Sequence, residues 1–380
     1  MPKKIHFNVS LPKAARQMLF AYSNILVLIN EGNEEVDSIL NVLEGIKAEG
    51  KNVTVMTVGP KLTDTAISAL FESVDTEHTD AVLAIGSGSV MDAGKILSAY
   101  VTNNGTVEEY MNEEITFANK SVPLFIAPTM ASACEANSSA VIRSGETGLF
   151  VKEIKNRAFI ADEIIIDPSL QTGVSKESSL NAMMITLTRL VEGYVSIGAN
   201  NFCDALIGDC IGDFVESLYD ICVNDSDTPE SRAKAAYASV IASVTMEHAG
   251  CGIVSSLANA VTSVYDIPYG AVCGSLFYHA TLKNMQKTQM FAPKSVATEK
   301  YSRLASIWSG IGYEFEKHNV LLRSLNHNLS DLTQDMNIPT LSELGIMRES
   351  FYNIVSKITP SQSPVNLAES ELIDILEAAF

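Results

Sequence analysis

The sequence is short of basic residues. It has 26 lysines and arginines against 45 aspartates and glutamates, which gives a formal net charge of -19. Nucleic acids and anionic membrane surfaces bind proteins through basic patches, so this deficit argues against either as the main partner. The acidity by itself indicates nothing about a substrate.

Closely spaced cysteines and long apolar runs are also lacking. Six cysteines are scattered without CxxC spacing, which is typical of free thiols in a reducing compartment. No stretch reaches the ~18 apolar residues of a membrane helix. The beginning of the chain has basic residues but no apolar segment of the kind found in a secretory signal. We therefore expect a cytoplasmic protein that does not insert into a membrane.

The first part of the chain alternates strand-like and helical stretches. Apolar or β-branched runs of strand type lie at 24–29, 52–58, 80–86 and 122–128, with one or two more within 157–168. Helical patterns separate the first three runs, and such alternation predicts a parallel sheet covered on both faces. A hairpin is predicted between the last runs, with Gly145 to Gly148 in its turn.

After Pro168 the pattern changes to long helical stretches with few strand-like runs. A chain of 380 residues is expected to form two domains at roughly 100–200 residues each. We predict an α/β domain with a parallel sheet over residues 1–168 and an all-α domain over residues 169–380.

The stretch AVLAIGSGSVMDAGK, residues 81–95, joins an apolar strand to a helix through small residues. Those small residues are Gly86, Ser87, Gly88 and Ser89. They allow backbone N–H groups to approach a diphosphate, and the dipole of the following helix favours its negative charge. A nucleotide would then lie outside the carboxyl ends of the strands, which makes residues 1–168 a nucleotide-binding domain.

Two features near this loop remain open to a purely structural interpretation. The loop itself has neither GxGxxG nor Walker spacing, so it can also be a tight turn with Ser89 as the helix N-cap. Glu31 lies just past the first strand-like run. Its carboxylate can accept hydrogen bonds from a ribose diol and would repel a 2′-phosphate, which favours NAD over NADP, or it is an ordinary solvated carboxylate.

Arg189 stands in an otherwise apolar helical stretch, MMITLTRLVEGYVS, residues 183–196. A charge in such a position is costly unless it has a partner. Glu192, one helical turn away, is the simplest candidate for that partner.

These stretches together resemble the iron-containing (group III) alcohol dehydrogenases, which share a fold with dehydroquinate synthase. The family loop GGGSxxDxxK matches Gly86 to Ser89, with Ser87 in place of a glycine, followed by Asp92 and Lys95. The DPxL stretch and the helix ending in EaYvS match residues 167–170 and 192–196. IPYGAVCG, residues 267–274, resembles the ipHG turn, and Asn284 also matches.

The resemblance implies a divalent metal held by one aspartate and three histidines, but none of those four positions keeps its ligand. In the ungapped match they are occupied by Ile185, Arg189, Ser255 and Tyr269. A neighbouring family histidine falls at Asn259. Arginine carries a permanent positive charge and has no acceptor, so it repels a cation. We therefore expect no catalytic metal here; a displaced site using Glu247 and His248 is an alternative, against an ordinary structural histidine.

A further departure lies in PTMASACEAN, residues 128–137, where the family reads PTTaGTGSE. The resemblance implies that this loop contacts the cofactor. Only Pro128, Thr129 and Ala131 match clearly, so binding of the nicotinamide half is expected to be weak, with Thr129 as its remaining contact.

Two functions follow from the resemblance and its departures. The first is an NAD(P)-dependent oxidoreductase that acts on a small alcohol or aldehyde without the family metal. In it Arg189 would stabilise the developing alkoxide and Tyr269 would donate the proton. The second is a catalytically silent relative that binds a nucleotide or has a regulatory part. Family members are often dimers or larger, so a homo-oligomer is expected.

Overall fold

The chain forms two units that follow each other in sequence. The computed structural model describes residues 1–144, 150–314 and 317–380. Contacts within it divide the chain into Met1–Val174 and Ser175–Phe380. The boundary between two domains after residue 168 remains a prediction from the sequence.

The strands of the first unit are, in chain order, β1 (Lys4–Phe7), β2 (Asn24–Asn30), β3 (Asn52–Val58), β4 (Ala81–Gly86), β5 (Leu124–Pro128), β6 (Ser139–Ser144), β7 (Phe150–Lys155) and β8 (Glu163–Ile166). Six of them form one sheet in the order β1-β8-β5-β4-β2-β3. All neighbours in it pair in parallel. The central strands β4 and β5 are buried along their whole length, as expected for a parallel sheet covered on both faces.

The described residues of the same unit also form the helices α1 (Leu11–Met18), α2 (Asp37–Ala48), α3 (Asp64–Ser73), α4 (Gly88–Tyr100) and α5 (Val107–Met111). They supply the crossovers that parallel strands require. The sequence patterns did not reveal β1 or α1. Both elements are held by residues far along the chain. β1 pairs with β8, and the backbone N–H of Leu11, the first residue of α1, donates to Asp167 Oδ2 at 2.7 Å.

The predicted hairpin is present as an antiparallel pair of β6 and β7, with Ser139 opposite Lys155 and Ser144 opposite Phe150. The turn assigned to Gly145–Gly148 lies outside the described residues. The two strands form a sheet separate from the parallel one.

The second unit is helical. Its helices are α6 (Lys176–Val195), α7 (Asn201–Cys222), α8 (Pro229–Ala249), α9 (Ile253–Thr262), α10 (Tyr269–Phe291), α11 (Val296–Ser309), α12 (His318–Asp335), α13 (Phe351–Val355) and α14 (Glu369–Ala378). The long helix α6 packs against α7, α8 and α10. No strand occurs among the described residues of this unit. The predicted fold class, an α/β domain followed by an all-α domain, is confirmed.

The six cysteines are free thiols, of which Cys203, Cys210 and Cys273 are buried and the others partly buried. Among the described helices, no single one has the length and apolar character needed to cross a membrane. The pair Pro229–Ala249 and Ile253–Thr262, bent by 98°, meets that test jointly on length and composition alone.

Candidate functional site

The glycine loop of the first unit is held in place by Asn30, the last residue of β2. Its amide nitrogen donates to Ser87 Oγ at 2.8 Å, and its amide oxygen accepts the Ser87 backbone N–H at 3.0 Å. Ser89 Oγ donates to the carbonyl of Gly59, just past β3, at 2.9 Å. The loop is therefore tied to the carboxyl ends of two neighbouring strands, which is where open α/β sheets bind ligands.

The helix N-cap is Ser87, and Ser89 already lies within α4. Ser87 makes no side-chain hydrogen bond to the first turn of the helix. Its hydroxyl instead contacts Asn30, and it lies 3.2 Å from the hydroxyl of Ser89. The structural interpretation with Ser89 as the cap thus does not hold. Because no cap hydroxyl of Ser87 occupies the first-turn N–H groups, they are available to an anion.

The two glycines of the loop have different reasons to be glycine. A Cβ on Gly86 would lie 2.6 Å from Val90 Cγ2 and 2.7 Å from Asn30 Oδ1, which leaves no room for any side chain. A Cβ on Gly88 would meet nothing closer than Cys134 Sγ at 3.7 Å. Gly86 is needed for packing, whereas Gly88 keeps open the space in front of the helix N-terminus.

A cavity of about 460 Å³ lies in the first unit beside this loop. Its lining includes Asn30, Pro60, Ser87, Thr129 and Leu170. The volume falls within the range of small-molecule sites, roughly 300–1,000 Å³. Ser87 and Thr129 were predicted to contact a cofactor, and the structure places both at this cavity.

Glu31 is exposed at the same edge of the sheet. Its backbone N–H donates to the carbonyl of Val58 at 2.9 Å, and its Oε2 lies 3.5 Å from the position of a Cβ on Gly59. The carboxylate therefore lies next to the end of β3 with free access to solvent. This location is compatible with a ribose diol, and it does not exclude a solvated carboxylate.

Asp92 and Lys95 were predicted to bind the cofactor, and the structure shows that both make contacts within the first unit. Lys95 is fully buried, and its Nζ donates at 2.7 Å to each of three oxygens: Cys134 O, Asn137 Oδ1 and Ser139 O. An ammonium has three protons, so Lys95 has none left for a phosphate. Asp92 forms an ion pair with Lys95, with Oδ1 at 3.4 Å from Nζ, and its Oδ2 accepts the backbone N–H of Val141 at 3.1 Å. Both residues anchor the segment after β5.

That segment carries backbone strain. Ala133 has a φ of 56°, in the left-handed region that costs a residue with a Cβ roughly 1–2 kcal/mol. Asn137 holds it by donating to the Ala133 carbonyl at 3.3 Å, while its own amide oxygen accepts from Lys95. The backbone N–H of Thr129 donates to the Gly86 carbonyl at 3.0 Å. Lys95 therefore sets the shape of the loop that the family resemblance assigns to the cofactor.

The second unit contains the four positions that the family resemblance assigns to metal ligands. Ile185 and Arg189 lie on α6, Ser255 lies in the first turn of α9, and Tyr269 is the first residue of α10. Burial raises the pKa of Tyr269, while the positive charge of Arg189 and the hydroxyl of Ser255 oppose that rise. Arg189, Ser255 and Tyr269 thus form a polar cluster, in which Arg189 is close enough to Tyr269 to influence its ionisation.

Glu192 is part of this cluster and was not among the predicted site residues. It accepts from the hydroxyl of Ser255 at 2.6 Å and from the backbone N–H of Ser255 at 3.1 Å. Its carboxyl also receives backbone hydrogen bonds from Gly252 and Val254. Sequence spacing suggested it only as a partner for Arg189, whereas the structure places its oxygens at the N-terminus of α9.

Burial shifts the ionisation of the cluster. It raises the pKa of Glu192, against the lowering effect of the hydrogen bonds from Ser255 and the α9 backbone. It also raises the pKa of the Tyr269 phenol well above its ordinary value. The pKa of the Cys273 thiol rises to about 12 for the same reason. At neutral pH the Tyr269 phenol and the Cys273 thiol therefore keep their protons.

The donors at the four positions do not fit a catalytic iron or zinc ion. Ile185 has no donor atom, Arg189 is a cation, and Ser255 and Tyr269 offer hydroxyls that favour the protonated form. In the parts of the chain that are described, no three His, Cys, Asp or Glu side chains are grouped as metal ligands. His248 is exposed and stacks edge-on with Phe202 at 5.6 Å, as an ordinary surface histidine does.

Comparison with known proteins places the chain in a family. The family described as "Iron-containing alcohol dehydrogenase" matches residues 2–168. Its C-terminal part, "Fe-containing alcohol dehydrogenase family, C-terminal", matches residues 179–380. The chain therefore belongs to the iron-containing alcohol dehydrogenase family of oxidoreductases.

Similar proteins are found over almost the whole chain. Alcohol dehydrogenase 4 of Schizosaccharomyces pombe is 27% identical over 382 residues, covering 97% of this chain and 86% of the relative. Alcohol dehydrogenase 4 of Saccharomyces cerevisiae is 25% identical over 367 residues, covering 94% and 91%.

Solved structures share the fold. A 1,3-propanediol oxidoreductase superposes with a TM-score of 0.88 at 22% identity, covering 100% of this chain and 98% of that one. The sulfoacetaldehyde reductase of Bifidobacterium kashiwanohense, in complex with NAD⁺, superposes with a TM-score of 0.85 at 20% identity, covering 100% and 97%. At these identities the likeness establishes the fold alone.

Proposed function

We propose that this protein is an NAD-dependent oxidoreductase that interconverts a small alcohol and its aldehyde without the family metal. The observation that carries the proposal is the polar cluster of the second unit. There the positions of the metal ligands hold a guanidinium and a phenol that interact electrostatically. Carbonyl reduction needs a positive charge to stabilise the developing alkoxide and a group that donates a proton to it.

The first unit supplies residues that fit a dinucleotide. The first-turn N–H groups of α4, reached across Gly88, would hold the diphosphate, and Glu31 would accept hydrogen bonds from the ribose diol. Thr129 would contact the nicotinamide half from the wall of the cavity. When bound, the nicotinamide accepts or donates the hydride. The relatives include an NADPH-dependent butanol dehydrogenase and an NAD-dependent methanol dehydrogenase, and Glu31 supports NAD for this chain.

In reduction, Arg189 stabilises the negative charge that develops on the carbonyl oxygen, and Tyr269 gives that oxygen a proton. In oxidation, Tyr269 takes the proton back from the alcohol. The raised pKa of Tyr269 keeps the phenol protonated at neutral pH. Arg189 limits this rise and so eases proton release.

A silent nucleotide-binding or regulatory protein is the second candidate. It is favoured by the same absence of metal-ligand chemistry at Ile185, Arg189, Ser255 and Tyr269, because the reaction of the metal-dependent relatives cannot proceed there. A cytoplasmic location and self-association remain predictions from the sequence.

The test is reduction of a panel of small aldehydes by NADH, using protein treated with a chelator and analysed for iron and zinc. We expect slow NADH oxidation that is insensitive to the chelator. Tyr269→Phe should lower kcat about 10²- to 10⁴-fold, the usual range for loss of a general acid. About one iron or zinc per chain, lost on Tyr269→Phe, would overturn the metal-free mechanism. Binding of NAD without any turnover would favour the silent relative.

A further inference from the structure

A small cavity lies inside the second unit, where α6, α9, α10 and α11 meet the segment before α14. Its volume is about 10 Å³. Five of the residues that line it have polar side chains: Glu192, Thr281, Asn284, Tyr301 and Ser363. These five residues are between 1% and 8% exposed, so the cavity lies away from the surface of the unit.

The size and lining of the cavity restrict what it can hold. A water molecule needs roughly 10–15 Å³ in this measure and about two to four polar partners. The volume is too small for an organic molecule, and the lining provides a carboxyl, a carboxamide and three hydroxyl groups. An apolar cavity stays dry, whereas a polar one binds water. One water molecule therefore fits both the volume and the chemistry of the lining.

Asn284 on α10 has a buried oxygen that needs a hydrogen-bond donor. The residue is 5% exposed. Its Nδ2 donates to Ser363 Oγ at 3.4 Å, which is longer than the usual range of about 2.7–3.2 Å. Among the described residues, its Oδ1 has no hydrogen-bond partner. A buried oxygen without a donor is costly. Because Asn284 lines the cavity, a water there can donate to this oxygen.

Glu192 forms one wall of the cavity, and its position is fixed by contacts with the start of α9. Its Oε1 accepts the backbone N–H of Ser255 at 3.1 Å, and its Oε2 accepts the Ser255 hydroxyl at 2.6 Å. A Cβ on Gly252 would lie 2.7 Å from the carboxyl carbon of Glu192. The carboxyl is therefore held between α6 and α9 and cannot swing across the cavity to reach Asn284.

The segment before α14 forms another wall, and backbone hydrogen bonds hold it in place. The N–H of Gln362 donates to the carbonyl of Cys251 at 2.8 Å, and its carbonyl accepts the N–H of Ile197 at 3.0 Å. A Cβ on Gly250 would lie 2.8 Å from Gln362 Cγ. Ser363 follows directly, so its hydroxyl is fixed beside the cavity. Both walls are thus anchored elsewhere, and the space between them cannot close by a local collapse.

We propose that one water molecule is bound between Glu192, Asn284 and Ser363 as a fixed part of the second unit. The water donates one O–H to Asn284 Oδ1. Its second O–H and its two lone pairs serve the carboxyl of Glu192 and the hydroxyl of Ser363. The water thereby joins the segment before α14 to helices α6 and α10. This site does not depend on the proposed carbonyl reduction.

The direct test is to observe the water. A high-resolution crystal structure should show a water oxygen in the cavity within about 3.2 Å of Asn284 Oδ1. In solution, ¹⁷O relaxation dispersion of water counts the molecules that stay inside the protein for longer than its tumbling time. Asn284→Leu should hold one such water fewer than the wild type, because a methyl group takes the place of the water and the oxygen that binds it is gone.

Asn259→Leu is the matched control for Asn284→Leu. It makes the same substitution at an exposed position of α9 and should leave the number of long-lived waters unchanged. Near-ultraviolet circular dichroism of both variants checks that the second unit keeps its packing. The observation on the wild type does not require any variant to fold.

A second test displaces the water but keeps the oxygen that needs it. Val191 lines the cavity, and Val191→Ile adds one methyl group there. We expect one long-lived water fewer and an unfolding equilibrium constant raised roughly tenfold, because Asn284 Oδ1 loses its donor. Asn284→Leu should shift this constant less, since it removes the oxygen together with the water. In a dry cavity the added methyl group would instead stabilise the protein. Urea unfolding measures the difference.

A small cation is the other occupant that a carboxyl and neutral oxygens could hold. Replacing Na⁺ and K⁺ by tetramethylammonium, with a chelator present and at constant ionic strength, should leave the urea midpoint of the wild type unchanged. A midpoint that falls in the wild type but not in Asn284→Leu would assign the site to a cation and overturn the proposal. No water density at Asn284 Oδ1, equal water counts in the wild type and Asn284→Leu, or a more stable Val191→Ile would also overturn it.

Discussion

The loop of the first unit and the polar cluster of the second differ in what they keep of the family pattern. The loop keeps Gly86, Gly88 and Ser89, and a Cβ on Gly86 would lie too close to Val90 and Asn30. All four positions that the resemblance assigns to metal ligands are substituted in the second unit, yet the hydroxyl of Ser255 donates to Glu192 at 2.6 Å. Close packing restricts the residues of the loop, whereas hydrogen bonds to Glu192 hold Ser255 in the cluster.

The comparison teaches that a family position can change its chemistry while the surrounding helices keep their places. Glu192 matches the family helix ending, and its hydrogen bonds to the start of α9 secure the approach of α6 and α9. Hydrogen bonds within the chain therefore hold α6 against the start of α9.

The largest effect is expected where the loop is anchored. Lys95→Met removes a buried ammonium and leaves three carbonyl oxygens and the Asp92 carboxylate without it. Breaking such an arrangement costs about 3–5 kcal/mol, which urea unfolding would measure as a lower midpoint. Lys47→Met, an exposed change on α2, should cost less than about 0.5 kcal/mol. Equal losses in the two variants would show that the Lys95 contacts are not stabilising.

The two loop glycines should respond differently to a side chain. Gly86→Ala places a Cβ within 2.6 Å of Val90, so we expect a loss of about 1–3 kcal/mol from overpacking. Gly88→Ala meets only ordinary contacts and should change stability by less than about 1 kcal/mol. Thermal unfolding of the two variants side by side checks the contrast. Equal stability would mean that Gly86 is replaceable.

A side chain at Gly88 should weaken nucleotide binding much more than it lowers stability. We expect calorimetry to detect weak binding of NAD or a plain adenine nucleotide to the wild type. Gly88→Val should weaken it at least tenfold, about 1.4 kcal/mol, because the branched side chain fills the space in front of α4. Stability should change by less than about 1 kcal/mol. No heat from the wild type at millimolar ligand would mean that the loop is only a turn.

Glu31 should set the preference between the two cofactors. Its exposed carboxylate repels a 2′-phosphate, so NAD should bind more tightly than NADP. Glu31→Gln should narrow this preference by up to about tenfold, or 1.4 kcal/mol, mainly through better NADP binding. Competition calorimetry with both nucleotides measures the ratio. An unchanged ratio of the NAD and NADP affinities would mean that Glu31 is a solvated carboxylate that does not contact the cofactor.

The smallest effect concerns Glu192 and pH. Because its pKa is raised in the folded protein above the ordinary value of 4.5, the folded state retains a proton that the unfolded state loses. The stability contributed by this proton is present below pH 4.5 and is lost as the pH rises toward the folded pKa. Glu192→Gln should remove this decline in a series of urea midpoints against pH. A decline of the same size in the variant would place its origin elsewhere.

Much of the fold could be predicted because it depends on local patterns. The apolar runs of β2 and β4 and the helical periodicity of α6, α7 and α8 are visible within a few turns of chain. By contrast, β1 is a short edge strand whose partner, β8, lies far along the chain. Nothing in a local window identifies such a pairing.

The sequence by itself determined the fold class, the small residues of the loop and the unusual residues at the ligand positions. Only the tertiary structure decided what the polar side chains do. It buried Lys95 among the oxygens of a loop some 40 residues away, and it brought Ser255 to Glu192 across 63 residues. The physical reason is that buried apolar residues recur along the sequence with the period of a helix or strand. A hydrogen bond depends instead on which two groups the fold brings within about 3 Å.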